Sequence, residues 1–65
     1  MTTQKNWYYK IVDNETGETE YYIEIPMHLR TEALCRIICN IIGIEKASYH
    51  AVEITEDEYE EGIGS

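Results

Sequence analysis

The sequence has few basic residues, only two cysteines and no long apolar segment. Five Lys and Arg stand against thirteen Asp and Glu in 65 residues, which gives a formal net charge of −8. Proteins that bind DNA or RNA directly neutralise phosphates with clustered basic side chains, and this sequence has no such cluster. We therefore expect no direct nucleic-acid binding and no attraction to anionic membranes. Excess acidic charge instead favours basic protein surfaces as partners.

No apolar run approaches the roughly 18 residues that span a bilayer, and no basic stretch precedes an apolar one as in a secretory signal. We therefore expect a cytoplasmic protein. Cys35 and Cys39 are four positions apart in a helical pattern, so their side chains would run side by side in poor geometry for a disulfide. Both are expected to be buried free thiols in a reducing compartment.

The chain is interpreted as one small domain, 1–65, with an ordered core at about 7–54 and an acidic tail at 55–65. Trp7–Val12 has the aromatic and β-branched content of a strand. Asp13–Gly17 supplies turn residues, with Gly17 suited to a positive φ. Glu18–Ile25 resumes with a two-residue alternation that ends at Pro26. These segments predict a β-hairpin.

A helix is predicted at 31–42, with Thr31 as N-cap and Gly43 just past its end. Its apolar arc spans roughly 200°, wider than the stripe of about 100° that packs on one side of a sheet. We infer that a longer connection or a second chain covers the surplus, and we expect a homodimer. The candidate dimer-interface residues are Cys35, Ile38, Cys39 and Ile42.

Tyr49–Ile54 predicts a third strand, so the fold class is α+β. The layout is ββαβ, a three-stranded mainly antiparallel sheet with one helix on one face and strand order 2-1-3. In β3 the alternation is interpreted as placing Val52 and Ile54 under the helix. Tyr49 and Glu53 then lie on the opposite sheet face.

The sequence offers few combinations of residues that could catalyse a reaction or bind a metal ion. Ser48 neighbours Tyr49 and His50, but adjacent residues in a strand point to opposite faces. A triad would also need an orienting acid and an oxyanion site, and a chain this short has little room for a pocket. We therefore expect no enzyme activity and no catalytic residues. Cys35, Cys39, His28 and His50 form a conceivable zinc set, but the cysteines lie mid-helix between isoleucines, so no metal or other cofactor is expected.

Tyrosine and glutamate alternate on the sheet face predicted to lie opposite the helix, and a dense acidic run follows. Tyrosine gives large, rigid contact area and is enriched at interfaces. The carboxylates of the tail are candidates for phosphate mimics, although a charge run of this kind is usually only a solvated segment. The candidate partner-binding residues are Tyr8, Glu20, Tyr22, Glu24, Tyr49, Glu53, Glu56, Asp57 and Glu58.

The acidic-turn hairpin, single helix and closing strand over residues 7–54 resemble the small dimeric uracil-DNA glycosylase inhibitors encoded by some phages. The nearest local similarity is Gly17-x-x-x-Tyr21-Tyr22-x-Glu24. The resemblance implies acidic residues that mimic DNA phosphates and an apolar pocket that captures a side chain of the enzyme. The acidic tail and the cysteine-bearing helix have no counterpart in that family, so no functional residue is carried over.

These observations predict an inhibitor that binds a basic, DNA-acting enzyme by phosphate mimicry, such as a uracil-DNA glycosylase or a phage-defence nuclease. The alternative is a non-inhibitory adaptor or an oligomeric structural module. A ribbon-helix-helix repressor is a third possibility, disfavoured because the chain is acidic and supplies one clear helix.

Overall fold

The computed structural model describes residues 5–64 and has an α+β architecture. Its elements are β1 (Trp7–Asp13), β2 (Thr19–Ile25), α1 (Thr31–Ile42), a 3-10 turn (Lys46–Ser48), β3 (Tyr49–Ile54) and α2 (Glu56–Gly64). The three strands form one antiparallel sheet in the order β2-β1-β3. The predicted fold class, strand order and ββαβ layout are confirmed, and a second helix follows them.

The hairpin of β1 and β2 is closed by local hydrogen bonds in its turn. The Asp13 Oδ1 atom accepts from the backbone N–H of Glu15 at 2.7 Å, and Gly17 N–H donates to Asp13 O at 2.8 Å. Gly17 has φ 77°, as its place in the turn predicts. The register shifts between Ile11 and Val12, whose partners Tyr21 and Thr19 leave Glu20 as an extra, bulged residue near the start of β2.

Helix α1 spans Thr31–Ile42 as predicted, but its N-cap residue differs from the prediction. Gly43 adopts the left-handed conformation with φ 79°, and its N–H donates to Cys39 O at 2.9 Å. The N-cap is Arg30, which is extended and makes no side-chain capping bond, so the prediction of Thr31 as N-cap is wrong. Thr31 is already the first helical residue, where its hydroxyl no longer reaches the first-turn N–H groups in the capping geometry.

The two faces of β3 are the reverse of the prediction. Ile11 pairs with Ala51, so Ala51 shares a sheet face with Ile11 and packs in the core under α1. Tyr49 packs against the same core. Val52 and Ile54 pair with Lys10 and Tyr8 and therefore lie on the opposite face.

The core lies between α1 and the sheet, and α1 runs closest to β3. Its fully buried side chains are Tyr9, Ile11, Leu34, Cys35 and Cys39. The predicted burial of both cysteines as free thiols is confirmed, with their Sγ atoms 3.7 Å apart. The Tyr9 hydroxyl donates to Leu29 O at 2.8 Å, which ties the connection before α1 to the sheet.

Helix α2 occupies most of the segment interpreted from the sequence as an acidic tail, and Ser65 lies outside the described residues. It packs against β1 and β2 on the sheet face opposite α1. The sheet is therefore covered by a helix on each side. In β3, apolar residues occur at both alternating sets of positions, with Ala51 on one face and Val52 and Ile54 on the other, so the alternation alone does not identify the face under α1.

Candidate protein-binding face

Thr55 starts α2 by capping its first turn. Its Oγ1 atom accepts the Glu58 backbone N–H at 3.1 Å, and its carbonyl accepts the Tyr59 N–H at 3.0 Å. Glu56, Asp57 and Glu58 fill the first turn, where carboxylates interact favourably with the positive end of the helix dipole. Local sequence chemistry therefore favours a helix here despite the high charge.

Tyr59 attaches α2 to the sheet through two neighbouring rings. Its ring centroid lies 5.0 Å from that of Tyr8 and 6.3 Å from that of Tyr22, the second pair in an edge-on arrangement. Both geometries are favourable for aromatic pairs. The predicted apolar anchors Tyr8 and Tyr22 thus lie half-buried beneath α2, where they hold this helix in place.

Lys10 adds one ion pair to this attachment. Its Nζ atom lies 3.0 Å from Glu58 Oε2, and both side chains are partly exposed, at 25% and 46%. Solvent screens such a pair, so it contributes less than about 1 kcal/mol. Glu58, predicted to bind a partner, is thereby committed to a contact within the chain.

The outer face of α2 is acidic. Positions 57, 60 and 61 are related by three- and four-residue steps, so Asp57, Glu60 and Glu61 share one helix face, and all three are exposed. With Glu56, four carboxylates remain after Glu58 is paired, within residues 56–61 or about 9 Å of helix. One carboxylate per roughly 2 Å lies between the ~3.4 Å per charge of a single DNA strand and the ~1.7 Å per charge of the duplex.

These carboxylates also affect Tyr8. Burial, followed by the negative charge of Glu56, Glu24 and Glu60, raises the pKa of the Tyr8 hydroxyl. The direction is that expected for an acid placed in a negative field. The negative charges of α2 and of Glu24 in β2 therefore both act on the Tyr8 hydroxyl.

The remaining predicted partner-binding residues are spread over the molecule. Glu24 accepts a hydrogen bond from the Asn6 amide, and Glu53 lies 3.1 Å from His28 Nε2 on the α1 side of the sheet. Burial and the nearby Glu20 and Asp13 carboxylates raise the pKa of Tyr49. The structure therefore brings Tyr8, Tyr22 and Glu24 together with Glu56 and Asp57 of α2. Tyr49 and Glu20 lie apart from them, and Glu53 lies at the end of β3, near Tyr8 and Glu56.

Three of the five basic residues lie away from this face. Arg30 and Arg36 belong to α1 and its N-cap, and Lys46 lies in the 3-10 turn that follows. Lys10 reaches α2 and pairs with Glu58, and Lys5 lines the same cavity as Glu56. The acidic face, defined here as Glu24, Glu56, Asp57, Glu60 and Glu61, therefore keeps a large excess of negative charge, with Lys5 at its edge.

The candidate dimer-interface residues fall into two groups. Cys35 and Cys39 are buried against the sheet, and Ile38 packs on the same core. Ile42 remains 39% exposed, together with Ile37 at 46% and Ile41 at 71%. The apolar arc of α1 is therefore wider than its contact with the sheet, and the exposed part of the arc consists of Ile37, Ile41 and Ile42.

The conceivable zinc residues do not converge. The two thiols lie in the core, His28 contacts Glu53, and the His50 ring contacts Asn14. Within residues 5–64, no three His, Cys, Asp or Glu side chains are grouped as metal ligands would be.

Neither α1 nor α2, the helices of the described part of the chain, combines the length and apolar character needed to cross a membrane. Comparisons with protein-family models, with curated proteins and with solved structures give no match to this chain. The interpretation of the acidic face therefore rests on its geometry.

Thr55, Tyr59 and Gly62 were missed by the sequence analysis, although a signal for the first was present. Thr55-x-x-Glu58 is the spacing of a capping box, and acidic residues fill the following turn. A helix with a single aromatic residue on its inner face gives almost no apolar periodicity, so this segment resembles a solvated charge run.

Proposed function

We propose that this chain binds the basic nucleic-acid-binding surface of another protein through its acidic face and thereby inhibits a DNA-acting enzyme. The observation that supports the proposal is the ordered array of carboxylates on α2. Such an array differs from a solvated tail because its charges are fixed relative to one another, so less conformational entropy is lost on binding.

The charge density of this array of carboxylates also suits phosphate mimicry. Four carboxylates within about 9 Å of helix have a linear charge density between that of one DNA strand and that of the duplex. A protein groove that binds DNA has basic side chains at comparable intervals, so several charge-assisted contacts can form together. The proposal places the chain in the cytosol, where Cys35 and Cys39 stay reduced.

The test uses immobilised chain to capture proteins from a bacterial lysate and elutes them with duplex DNA. A mimic predicts that DNA and high salt each release the same enzyme, because DNA competes for the groove and salt screens the contacts. The purified enzyme is then assayed for DNA binding and activity with the chain added. Capture that resists both DNA and salt, or an enzyme whose DNA binding is unchanged, contradicts the proposal.

Two matched triple variants locate the interaction. Asp57→Asn with Glu60→Gln and Glu61→Gln removes three charges from the acidic face. Glu15→Gln with Glu18→Gln and Glu45→Gln removes three from exposed positions outside it. We expect the first set to weaken capture at least tenfold at low salt. The second set should change capture little, because charges far from the contact are screened by salt and solvent.

A second candidate function is self-association through α1, as in an oligomeric adaptor. It is favoured by the exposure of Ile37, Ile41 and Ile42 on one helix. A homodimer through these residues leaves the acidic face on the other side of the sheet accessible, so it is compatible with the inhibitor proposal. Light scattering should give a dimer mass for the chain and a monomer mass for Ile41→Glu; a monomer mass for the unmodified chain excludes this assembly.

A further inference from the structure

A notch lies at the end of β3, where β1 extends past its neighbour. Ile54, the last residue of β3, pairs with Tyr8, so Trp7 has a strand partner only on the β2 side. A cavity of about 450 Å³ occupies this corner, open to solvent and adjacent to the start of α2. Its walls include two aromatic rings, Trp7 and Tyr8, and two carboxylates, Glu53 and Glu56.

Aromatic rings and carboxylates together favour a cationic ligand, and one cation, the Lys5 ammonium, already lies at the wall of this cavity. The Lys5 ammonium lies 6.0 Å from the centroid of the Trp7 ring, within the range of a cation–π contact. Lys5 precedes β1 and is exposed, so it is a weakly held ammonium that a better-fitting cation can displace.

Asn6 supplies an acceptor without a partner at the same place. Its Nδ2 atom donates to Glu24, which fixes the orientation of the amide. Its Oδ1 atom is buried and accepts no hydrogen bond from the described residues. A buried acceptor without a donor is unfavourable, so a rearrangement that brings Oδ1 to an N–H donor in the notch would be stabilising.

We propose that the notch binds the side chain of an arginine from the basic partner. The guanidinium group stacks on an aromatic ring, is weakly hydrated and offers five donors in a planar fork, which suits a corner that combines Trp7, Asn6 and Glu56. The Glu53 carboxylate, already in contact with His28, has lone pairs for a second donor. This inference rests on the proposed function, because it assigns one specific contact to the same partner.

The test titrates the isotope-labelled full chain with N-acetyl-arginine methylamide and follows amide and indole N–H signals by NMR. Trp7 is the only tryptophan, so its indole signal is assigned without ambiguity to this ring at the wall of the notch. Saturable shifts at Trp7, Asn6 and Ile54 are expected. The matched neutral probe, N-acetyl-citrulline methylamide, should bind about fivefold or more weakly, because it lacks the charge that interacts with the rings and carboxylates.

Variants separate the notch from the rest of the acidic face. Glu56→Gln should weaken arginine binding severalfold, whereas Glu61→Gln, an equal change of charge on the same helix, should not. Lys5→Gln should strengthen it about twofold, because the competing ammonium is gone. Equal binding of the two probes, shifts that leave Trp7 unmoved, or equal effects of Glu56→Gln and Glu61→Gln would each overturn the proposal.

A deca-arginine peptide distinguishes failure of the notch from failure of the proposed function. If the peptide binds α2 in a salt-sensitive manner while the Trp7 signal stays unchanged, the notch is excluded and the function stands. If single arginine derivatives saturate the notch but no basic protein is captured, the notch stands and the inhibitor proposal fails.

Discussion

The ring of Tyr22 lies directly on Gly62 of α2. A Cβ atom added to Gly62 would come within 2.1 Å of Tyr22 Cζ, a distance that no pair of carbon atoms tolerates without movement. The contact lets the helix backbone approach the aromatic ring more closely than any side chain at this position allows. Gly62 and Tyr22 therefore set the distance between α2 and β2.

Gly62→Ala tests this contact. In an unconstrained helix the exchange stabilises by up to about 1 kcal/mol, but here the Tyr22 ring must move and the attachment of α2 loosens. We expect faster hydrogen exchange of the α2 amides and no gain in the free energy of unfolding. Gly64→Ala is the control, since nothing lies within 4 Å of its added Cβ. Unchanged exchange rates in Gly62→Ala would show that the helix is not held by this contact.

Tyr59→Ala should detach α2 while leaving the α1 core intact. The substitution removes the ring contacts to Tyr8 and Tyr22, each worth about 0.5–1.5 kcal/mol. We expect loss of exchange protection in α2 together with persistent protection in α1. Tyr21→Ala, which removes a ring 40% exposed at the other face of β2, is the control. Simultaneous loss of protection in both helices of Tyr59→Ala would contradict a locally attached α2.

The features predictable from the sequence are those fixed by local chemistry. Gly17 and Gly43 mark positive-φ positions, and the range of α1 follows from its apolar period and from Gly43. Strand order follows from the simple antiparallel return of β3 beside β1.

The features missed depend on contacts between distant parts of the chain. Whether Val52 or Ala51 faces α1 is decided by the pairing of β3 with β1, which is not visible in the alternation of β3 alone. The candidate site differs from the prediction for the same reason. Tyr8 and Tyr22 were predicted to contact a partner, and in the structure they contact Tyr59.

Two apolar residues of α1 should differ sharply in their effect on stability. Leu34 is 1% exposed in the core and Ile41 is 71% exposed. Leu34→Ala leaves a cavity and should lower the free energy of unfolding by about 2–5 kcal/mol, enough to unfold much of a domain this small. Ile41→Ala should change it by less than about 0.5 kcal/mol in the monomer. Urea titrations followed by circular dichroism give both values, and comparable losses would contradict the packing of α1.

Cys39 makes the stability of the fold sensitive to alkaline pH. Burial, with a smaller contribution from the hydrogen bond to Cys35, raises the pKa of the Cys39 thiol from 9.0 to about 11. Between these values the thiol ionises in the unfolded chain while it stays protonated in the fold. The unfolded state is therefore favoured progressively as pH rises, and the stabilisation present below pH 9 is lost on the way to pH 11.

The free energy of unfolding should accordingly fall by about 1 kcal/mol between pH ~8 and ~10, measured by urea titration in the presence of a reductant. Cys39→Ala is less stable at every pH because it leaves a cavity, but its pH dependence should be smaller by that amount. The raised pKa values of Tyr8 and Tyr49 act in the same direction, and they remain in the variant. The difference in slope between the two proteins therefore isolates the thiol. Identical slopes would mean that Cys39 is not held in its protonated form by the core.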